Sequence, residues 1–155
     1  MGYKIATSHA NLAQPIVGIA LLILVAAAAE SCTGTQAPSM PPTDALFVIR
    51  ACRGSAHAPD GETFRVLIHD PTVVAEADLL VGQGNRKIVT GKLERGDGGF
   101  NSPWSWHLDP SGLGFTEAAL ELCDGCPSFV EADLASWLHV GQFCPWSTEV
   151  IARER

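Results

Sequence analysis

Five cysteines constrain the possible folds of this 155-residue chain more than any other feature of its sequence. They are Cys32, Cys52, Cys123, Cys126 and Cys144. An odd number leaves one unpaired thiol in an exported domain. If Cys32 carries another modification, the remaining four cysteines can form two disulfides, and the sequence alone allows three ways of pairing them.

The first part of the chain has the pattern of an export signal. Lys4 precedes an apolar run from Ile16 to Ala29, which is shorter than the roughly 20 residues that a membrane-spanning helix needs. We therefore predict a signal peptide over residues 1–31. Two cleavage sites compete: cleavage after Ala29, in an A-x-A pattern, gives a secreted chain that begins at Glu30, whereas a lipobox-like A-E-S-C gives a lipidated Cys32.

The segment that follows favours the lipoprotein. Residues 32–44 contain the stretch "TGTQAPSMPPT", which is rich in Thr, Pro and Ser and has no periodicity, so we predict a flexible tether. Lipid on Cys32 also leaves an even number of cysteines for disulfides. We therefore predict a cell-envelope lipoprotein held to the membrane through its lipid anchor only, with plain secretion as the alternative.

The charge of the chain limits the class of partner. The chain is 46% hydrophobic and 17% charged, with a formal net charge of -7, which indicates an acidic globular protein. Its basic residues are spaced among carboxylates and form no cluster. This charge excludes nucleic acid as an expected partner and favours protein, sugar or small cationic ligands.

Residues 45–155 are predicted to form a single α+β domain. The stretches "ALFVIRAC" and "ETFRVLIHD" have the composition and alternation of two strands of a hairpin. Asp70 and Pro71 predict the start of a helix that ends near Gly82. The next strand, "KIVTGKL", contains Gly91, which marks a bulge or a close approach of two backbones.

The second half continues this pattern. We expect strands in "WSWHLDP" and "GFTEAALELC", with Leu120 and Leu122 on one face of the second strand. The alanines and glutamates of "GFTEAALELC" are also compatible with a helix. A capping box of Ser128 and Glu131 predicts a second helix that ends at Gly141. "STEVIA" predicts an edge strand. The expected architecture is an antiparallel or mixed sheet with two helices packed on one face.

The stretch "NSPWSWHLDP" places two tryptophans, a histidine and an aspartate within ten residues. On a strand, its two tryptophans face one side and Ser105, His107 and Asp109 face the other. Same-face neighbours stand roughly 7 Å apart, too far for a nucleophile and its base. We therefore assign no catalytic residue, and keep a hydrolase or metal enzyme that uses His107, Asp109, Glu121 and Asp124 as the less favoured alternative.

Cys123 and Cys126 form a C-x-x-C motif, which is typical of redox or zinc sites in other settings. The predicted helix begins only after the second cysteine, and no βαβ unit surrounds the motif, so a thioredoxin-like site is not expected. A second C-x-x-C motif would indicate a zinc site, and the sequence contains only one. We predict structural disulfides, no metal and no cofactor.

Three motifs together resemble a known family. "FNSPWSWHLDP", "FTEAALELCD" and "CPWS" resemble the pattern of the BP-seventy-four N-terminal domain family, a family of small exported domains, over about Leu46 to Glu154. The matching positions are Asn101, Trp104, His107, Asp109, Pro110, Glu121, Cys123, Asp124, Cys144, Pro145, Trp146 and Ser147. Phe143 departs from the tryptophan expected before the closing cysteine.

The resemblance implies a disulfide between Cys123 and Cys144, which leaves Cys52 and Cys126 as the second possible pair. It implies no particular reaction. Because the chain has a tether, structural disulfides and no coherent catalytic set, we predict a non-enzymatic binding domain for an extracellular protein, peptide or sugar, and a disulfide-stapled protease inhibitor is the alternative. The predicted ligand surface contains Trp104, Trp106, His107, Asp109, Trp146 and Ser147, although these aromatic residues fill the core equally well.

Overall fold

The computed structural model describes residues 44–155. The predicted signal peptide, the predicted lipidation site Cys32 and the predicted tether, except for Asp44, lie outside the described residues. Within the described part, no helix has the length and apolar character needed to cross a bilayer. In chain order, the elements are β1 (Ala45–Ala51), β2 (Glu62–Ile68), α1 (Pro71–Leu80), β3 (Ile88–Arg95), β4 (Trp106–Leu108), β5 (Gly114–Thr116), α2 (Pro127–Ala132), α3 (Leu134–Val140), β6 (Gln142–Phe143) and β7 (Glu149–Glu154).

The first sheet contains three antiparallel strands in the order β2-β1-β7. The predicted hairpin of β1 and β2 is confirmed, and β7 is the predicted edge strand. Alternate residues of β1 and β2 are buried, among them Phe47, Ile49, Phe64 and Val66. This alternation places one face of the sheet against the core.

The second sheet is built around β3, which pairs in antiparallel fashion with β4, β5 and β6. Gly91 lies under the side chain of Leu108, because a Cβ atom there would stand 3.3 Å from the Cβ of Leu108. The α+β class and the antiparallel pairing are confirmed. In residues 44–155 the strands form two sheets rather than one, and three helices accompany them instead of two.

Helix α1 begins as its sequence predicts. The carboxylate of Asp70 accepts hydrogen bonds from the backbone N–H of Thr72 at 2.7 Å and from its hydroxyl at 2.6 Å. Pro71 is the first helical residue, where its missing N–H costs nothing. Val74 and Ala77 are buried, so this face of α1 packs on the core.

The predicted second helix is broken into α2 and α3 at Asp133, and its predicted capping box is wrong. The N–H of Ser128 donates to the carboxylate of Glu62 at 2.7 Å, so a distant strand supplies the cap. Glu131 instead accepts hydrogen bonds from Ser105. Asp133 leaves helical geometry and caps α3 through the N–H of Ser136.

The predicted strand in residues 114–123 is confirmed only for Gly114–Thr116. A short 3-10 turn covers Glu121–Cys123, and Leu120 and Leu122 are 76% and 73% exposed. The strand that alternation predicted for these leucines is therefore wrong. The turn is held from another part of the chain, since the N–H of Cys144 donates to the carbonyl of Cys123 at 2.8 Å.

Aromatic rings form the centre of the core. Phe64 and Phe143 each lie within 5.5 Å, centroid to centroid, of the ring of Trp106. All three side chains are at least 98% buried. Because Phe143 is in the second sheet and Phe64 is in the first, these contacts join the two sheets.

Asn101 adds a polar connection between the two sheets. Its side chain is fully buried. Its carbonyl oxygen accepts the N–H of Arg65 in β2 at 2.7 Å, and its amide nitrogen donates to the carbonyl of Trp106 in β4 at 2.8 Å. One side chain therefore satisfies a backbone group on each sheet.

Replacement of Asn101 by alanine is expected to destabilise the domain by about 3 kcal/mol, because it leaves a backbone donor and a backbone acceptor without their partners. Urea unfolding of the disulfide-intact protein measures this loss. The control is Asn85→Ala, which removes an exposed amide that donates to the carbonyl of Trp146. Equal losses of free energy in the two variants would contradict the bridging role of Asn101.

Candidate functional site

The predicted site residues on β4 divide into core and surface. Trp106 is fully buried, so it packs in the core and lines no ligand surface. Its indole nitrogen has no hydrogen-bond partner within residues 44–155. Trp104 is half-buried, its ring lies against Trp106, and its indole N–H donates to the carbonyl of Thr63 at 2.9 Å. Both tryptophans therefore belong to the packing between the sheets.

His107 is held by the loop that precedes β4. Its Nδ1 lies 2.7 Å from the carbonyl oxygen of Gly96, and a carbonyl can only accept, so Nδ1 carries the proton. Its Nε2 lies 3.7 Å from a carboxylate oxygen of Glu94. The ring also packs edge to face on Phe100. These contacts fix the imidazole on its own hairpin.

Asp109 shapes the turn after β4. Its carboxylate accepts the N–H of Ser111 at 2.9 Å and the hydroxyl of Ser111 at 2.6 Å. These hydrogen bonds, led by the hydroxyl, lower the pKa of Asp109 below its ordinary value. Ser105 bonds to Glu131, so the serine, the histidine and the aspartate of this strand each have a different partner.

All four cysteines of the described residues are paired. Cys52 bonds to Cys126, with Cα atoms 5.6 Å apart, and Cys123 bonds to Cys144, with Cα atoms 5.1 Å apart. This confirms the Cys123–Cys144 disulfide that the family resemblance implied. It also confirms Cys52–Cys126, which the resemblance left as the second possible pair. The two cysteines of the C-x-x-C motif thus have separate partners. In residues 44–155, no group of three or more His, Cys, Asp or Glu side chains is placed to hold a metal ion.

The disulfides border a surface cleft of about 430 Å³. Three chain segments line it, and we call it the disulfide cleft. Its lining residues are Cys52, Ser55, Asp124, Gly125, Cys126, Phe129, Trp146 and Ser147. The volume lies within the range of small-molecule and side-chain binding sites.

Hydrogen bonds fix the backbone around the cleft. The hydroxyl of Ser147 accepts the N–H of Cys52 at 3.1 Å. The φ of Cys52 is 60°, which lies in the left-handed region. The carboxylate of Asp124 accepts the N–H of Trp146 at 2.8 Å. These bonds connect the three segments in addition to the disulfides. The backbone of the cleft is therefore set before any ligand arrives.

The aromatic side chains of the cleft, by contrast, keep much of their surface in solvent. Trp146 is 43% exposed and Phe129 is 41% exposed. Exposed aromatic residues on a fixed backbone are typical of sites that bind protein or peptide partners. The cleft can thus offer apolar contact together with one carboxylate.

Of the predicted ligand surface, Trp146 and Ser147 line the disulfide cleft, whereas Trp104, Trp106, His107 and Asp109 do not. Sequence reasoning missed Phe129 and Ser55. The disulfide between Cys52 and Cys126, once known, is the signal that points to both, because it brings the loop after β1 beside the start of α2.

Fold and crosslinks together define a small, disulfide-bonded α+β domain. A family model described as the BP-seventy-four N-terminal domain matches residues 46–155, so the chain belongs to this family. Neither the curated proteins nor the solved structures contained a match.

Ser111→Ala is expected to raise the pKa of Asp109 toward its ordinary value, because the strongest of its hydrogen bonds is lost while the backbone N–H remains. Because folding lowers the pKa of Asp109, its ionised carboxylate stabilises the folded state at pH values above the ordinary carboxyl pKa. This stabilisation is lost as the pH falls through the lowered pKa. NMR titration of the carboxyl carbons measures both pKa values. Asp70, whose pKa is lowered by Thr72, is the internal control. An unchanged Asp109 titration would contradict this assignment.

Proposed function

We propose that this chain is an exported, lipid-anchored domain that binds an extracellular peptide or protein through the disulfide cleft and catalyses no reaction. The observation that carries the proposal is the pairing of two exposed aromatic side chains, Phe129 and Trp146, around a rigid cleft. A preformed backbone reduces the entropy that is lost when a ligand binds.

The cysteines support the lipid anchor. The four cysteines of residues 44–155 pair with each other, which accounts for every cysteine of the sequence except Cys32. Cys32 also follows an apolar run of signal-peptide length and precedes the Pro- and Thr-rich segment. A lipidated cysteine at the start of such a segment would hold the domain at the membrane surface.

The binding function is supported by the contacts of the four polar residues that were considered for catalysis. His107 and Asp109 are each engaged in the local structure of the β4 region. Glu121 and Asp124 belong to the turn bordered by the disulfides, and within the described part of the chain no hydrogen bond joins either of them to His107 or Asp109. Binding through the exposed rings of the cleft, in contrast to catalysis, does not require these polar side chains to contact one another.

Trp146→Ala is expected to weaken peptide binding by about 2 kcal/mol, or about thirtyfold in Kd, because exposed tryptophans dominate interfaces of this kind. The probe is a random peptide library displayed on phage and selected on the mature exported protein. The selected peptides are then titrated against each variant.

The matched control is Leu79→Ala, which removes a 78% exposed apolar side chain of α1 that does not line the cleft. Selected peptides should bind this variant as tightly as the unaltered protein. Peptides that bind both variants equally, or a library that yields no binder, would contradict the proposed function. Circular dichroism checks that both variants fold.

Cys32→Ser is expected to release the protein from the membrane fraction, because the serine cannot carry the thioether-linked lipid. Intact mass of the exported protein measures the modification. The unaltered chain should begin at Cys32 with added lipid and contain no alkylatable thiol. A chain that begins at Glu30 with a free thiol at Cys32 would contradict the anchor while leaving the cleft untouched.

A further inference from the structure

We propose that the disulfide cleft receives a cationic group, namely the guanidinium or ammonium of an arginine or lysine side chain presented by a peptide or protein. This inference rests on the proposed function and names the chemistry that the cleft recognises. Four observations carry it: the charge of the cleft lining, the geometry of its carboxylate, its aromatic surface and the small number of its polar side chains.

The cleft lining carries a single kind of charge. Of its eight lining residues, Asp124 alone is ionisable, since both cysteines are in a disulfide. Among the described residues, no lysine, arginine or histidine lines the cleft. An anionic ligand would therefore meet repulsion there, whereas a cation would meet a carboxylate at the protein surface.

The carboxylate of Asp124 is held in a defined place. Its Oδ1 accepts the backbone N–H of Trp146 at 2.8 Å. Within residues 44–155, its second oxygen has neither a hydrogen-bond nor an ion-pair partner. One carboxylate oxygen thus fixes the side chain beside Trp146, and the other is available to a ligand N–H.

The aromatic side chains add a second attraction for a cation. Phe129 and Trp146 line the same cleft and each exposes about two-fifths of its surface. The face of an aromatic ring attracts guanidinium and ammonium groups, most strongly when the ring is a tryptophan. The methylene groups of arginine or lysine would meanwhile cover apolar ring surface.

The hydroxyl groups of the cleft are already engaged as acceptors. Ser55 accepts the N–H of Ala58 at 2.9 Å, and Ser147 accepts the N–H of Cys52. Each hydroxyl keeps its own O–H and a second lone pair. A sugar relies on several polar side chains for recognition, and the cleft lining offers only Ser55, Ser147 and Asp124 beside two aromatic rings, which favours a cationic side chain over a sugar.

The basic residues near the cleft, Arg53 and His57, both contact other side chains of the domain. Arg53 follows Cys52, but its guanidinium lies 3.4 Å from the carboxylate of Glu149. His57 packs edge to face on Phe129, with ring centroids 5.4 Å apart. The formal net charge of -7 also attracts cations to the protein over a longer range.

The test uses the mature exported protein and three probes, the methylamides of Nα-acetyl-arginine, Nα-acetyl-lysine and Nα-acetyl-citrulline. Citrulline is neutral and has the same shape as arginine. Methyl glucoside is the sugar probe. The indole N–H signal of Trp146, assigned with Trp146→Phe, reports binding by NMR. We expect arginine and lysine to shift this signal and citrulline to bind about tenfold more weakly.

Asp124→Asn distinguishes the charge from the structure of the site. Asparagine keeps an oxygen that can accept the N–H of Trp146, so the turn should remain, and the arginine probe should bind about as weakly as citrulline. Asp78→Asn is the matched control, because it removes the same charge from α1, where Asp78 pairs with Arg153 outside the cleft. It should leave arginine binding unchanged.

The outcomes separate this inference from the proposed function. Citrulline or methyl glucoside binding as tightly as arginine, or arginine binding that Asp124→Asn does not change, would overturn the cationic ligand and keep the cleft as a binding site. If no probe shifted the signal of Trp146, the inference would fail, while the peptide library would still decide the proposed function.

Discussion

The two disulfides are the constraint on which the arrangement of this domain depends. Cys52–Cys126 connects the end of β1 to the start of α2, and Cys123–Cys144 connects the 3-10 turn to the end of β6. They close loops of 74 and 21 residues, which corresponds to about 4.5 and about 3.3 kcal/mol respectively if the crosslinks act on the unfolded chain. Because three joined segments line the cleft, the same crosslinks build the fold and the candidate site.

Local signals in the sequence predicted the elements that depend on local contacts. The hairpin of β1 and β2 and the capped start of α1 need only alternation, Asp70 and Pro71. The capping box at Ser128 failed because distant groups compete: Glu62 binds the N–H of Ser128, and Ser105 occupies Glu131. These partners become neighbours only after the sheets have packed.

The exposed leucines illustrate the same limit. Leu120 and Leu122 alternate as in a buried strand, but the disulfide of Cys123 and its hydrogen bond to Cys144 hold this segment as a surface turn. Gly125 continues the turn, and a Cβ atom there would meet the ring of Trp137 at 2.7 Å. Periodicity carries no information about such contacts.

For the site, sequence patterns identified the closing C-P-W-S motif but not what surrounds it. The family resemblance implied one disulfide and left the other as the second possible pair, and the two crosslinks place Trp146 and Ser147 in the cleft. Phe129 could not be found from its local sequence, because the Cys52–Cys126 disulfide is what brings the loop after β1 beside it. The W-S-W-H block carries reactive residue types, yet in the structure its side chains serve packing and turns.

Photo-crosslinking of the exported protein tests most directly whether the disulfide cleft is the ligand site. Phe129→p-benzoylphenylalanine places the reactive group in the cleft, and Leu79→p-benzoylphenylalanine places it on α1. We predict a discrete adduct from position 129 alone, mapped to a segment of the partner that contains arginine or lysine and lost when Trp146→Ala is added. The same adducts from both positions, or an adduct that persists without the ring of Trp146, would contradict the account.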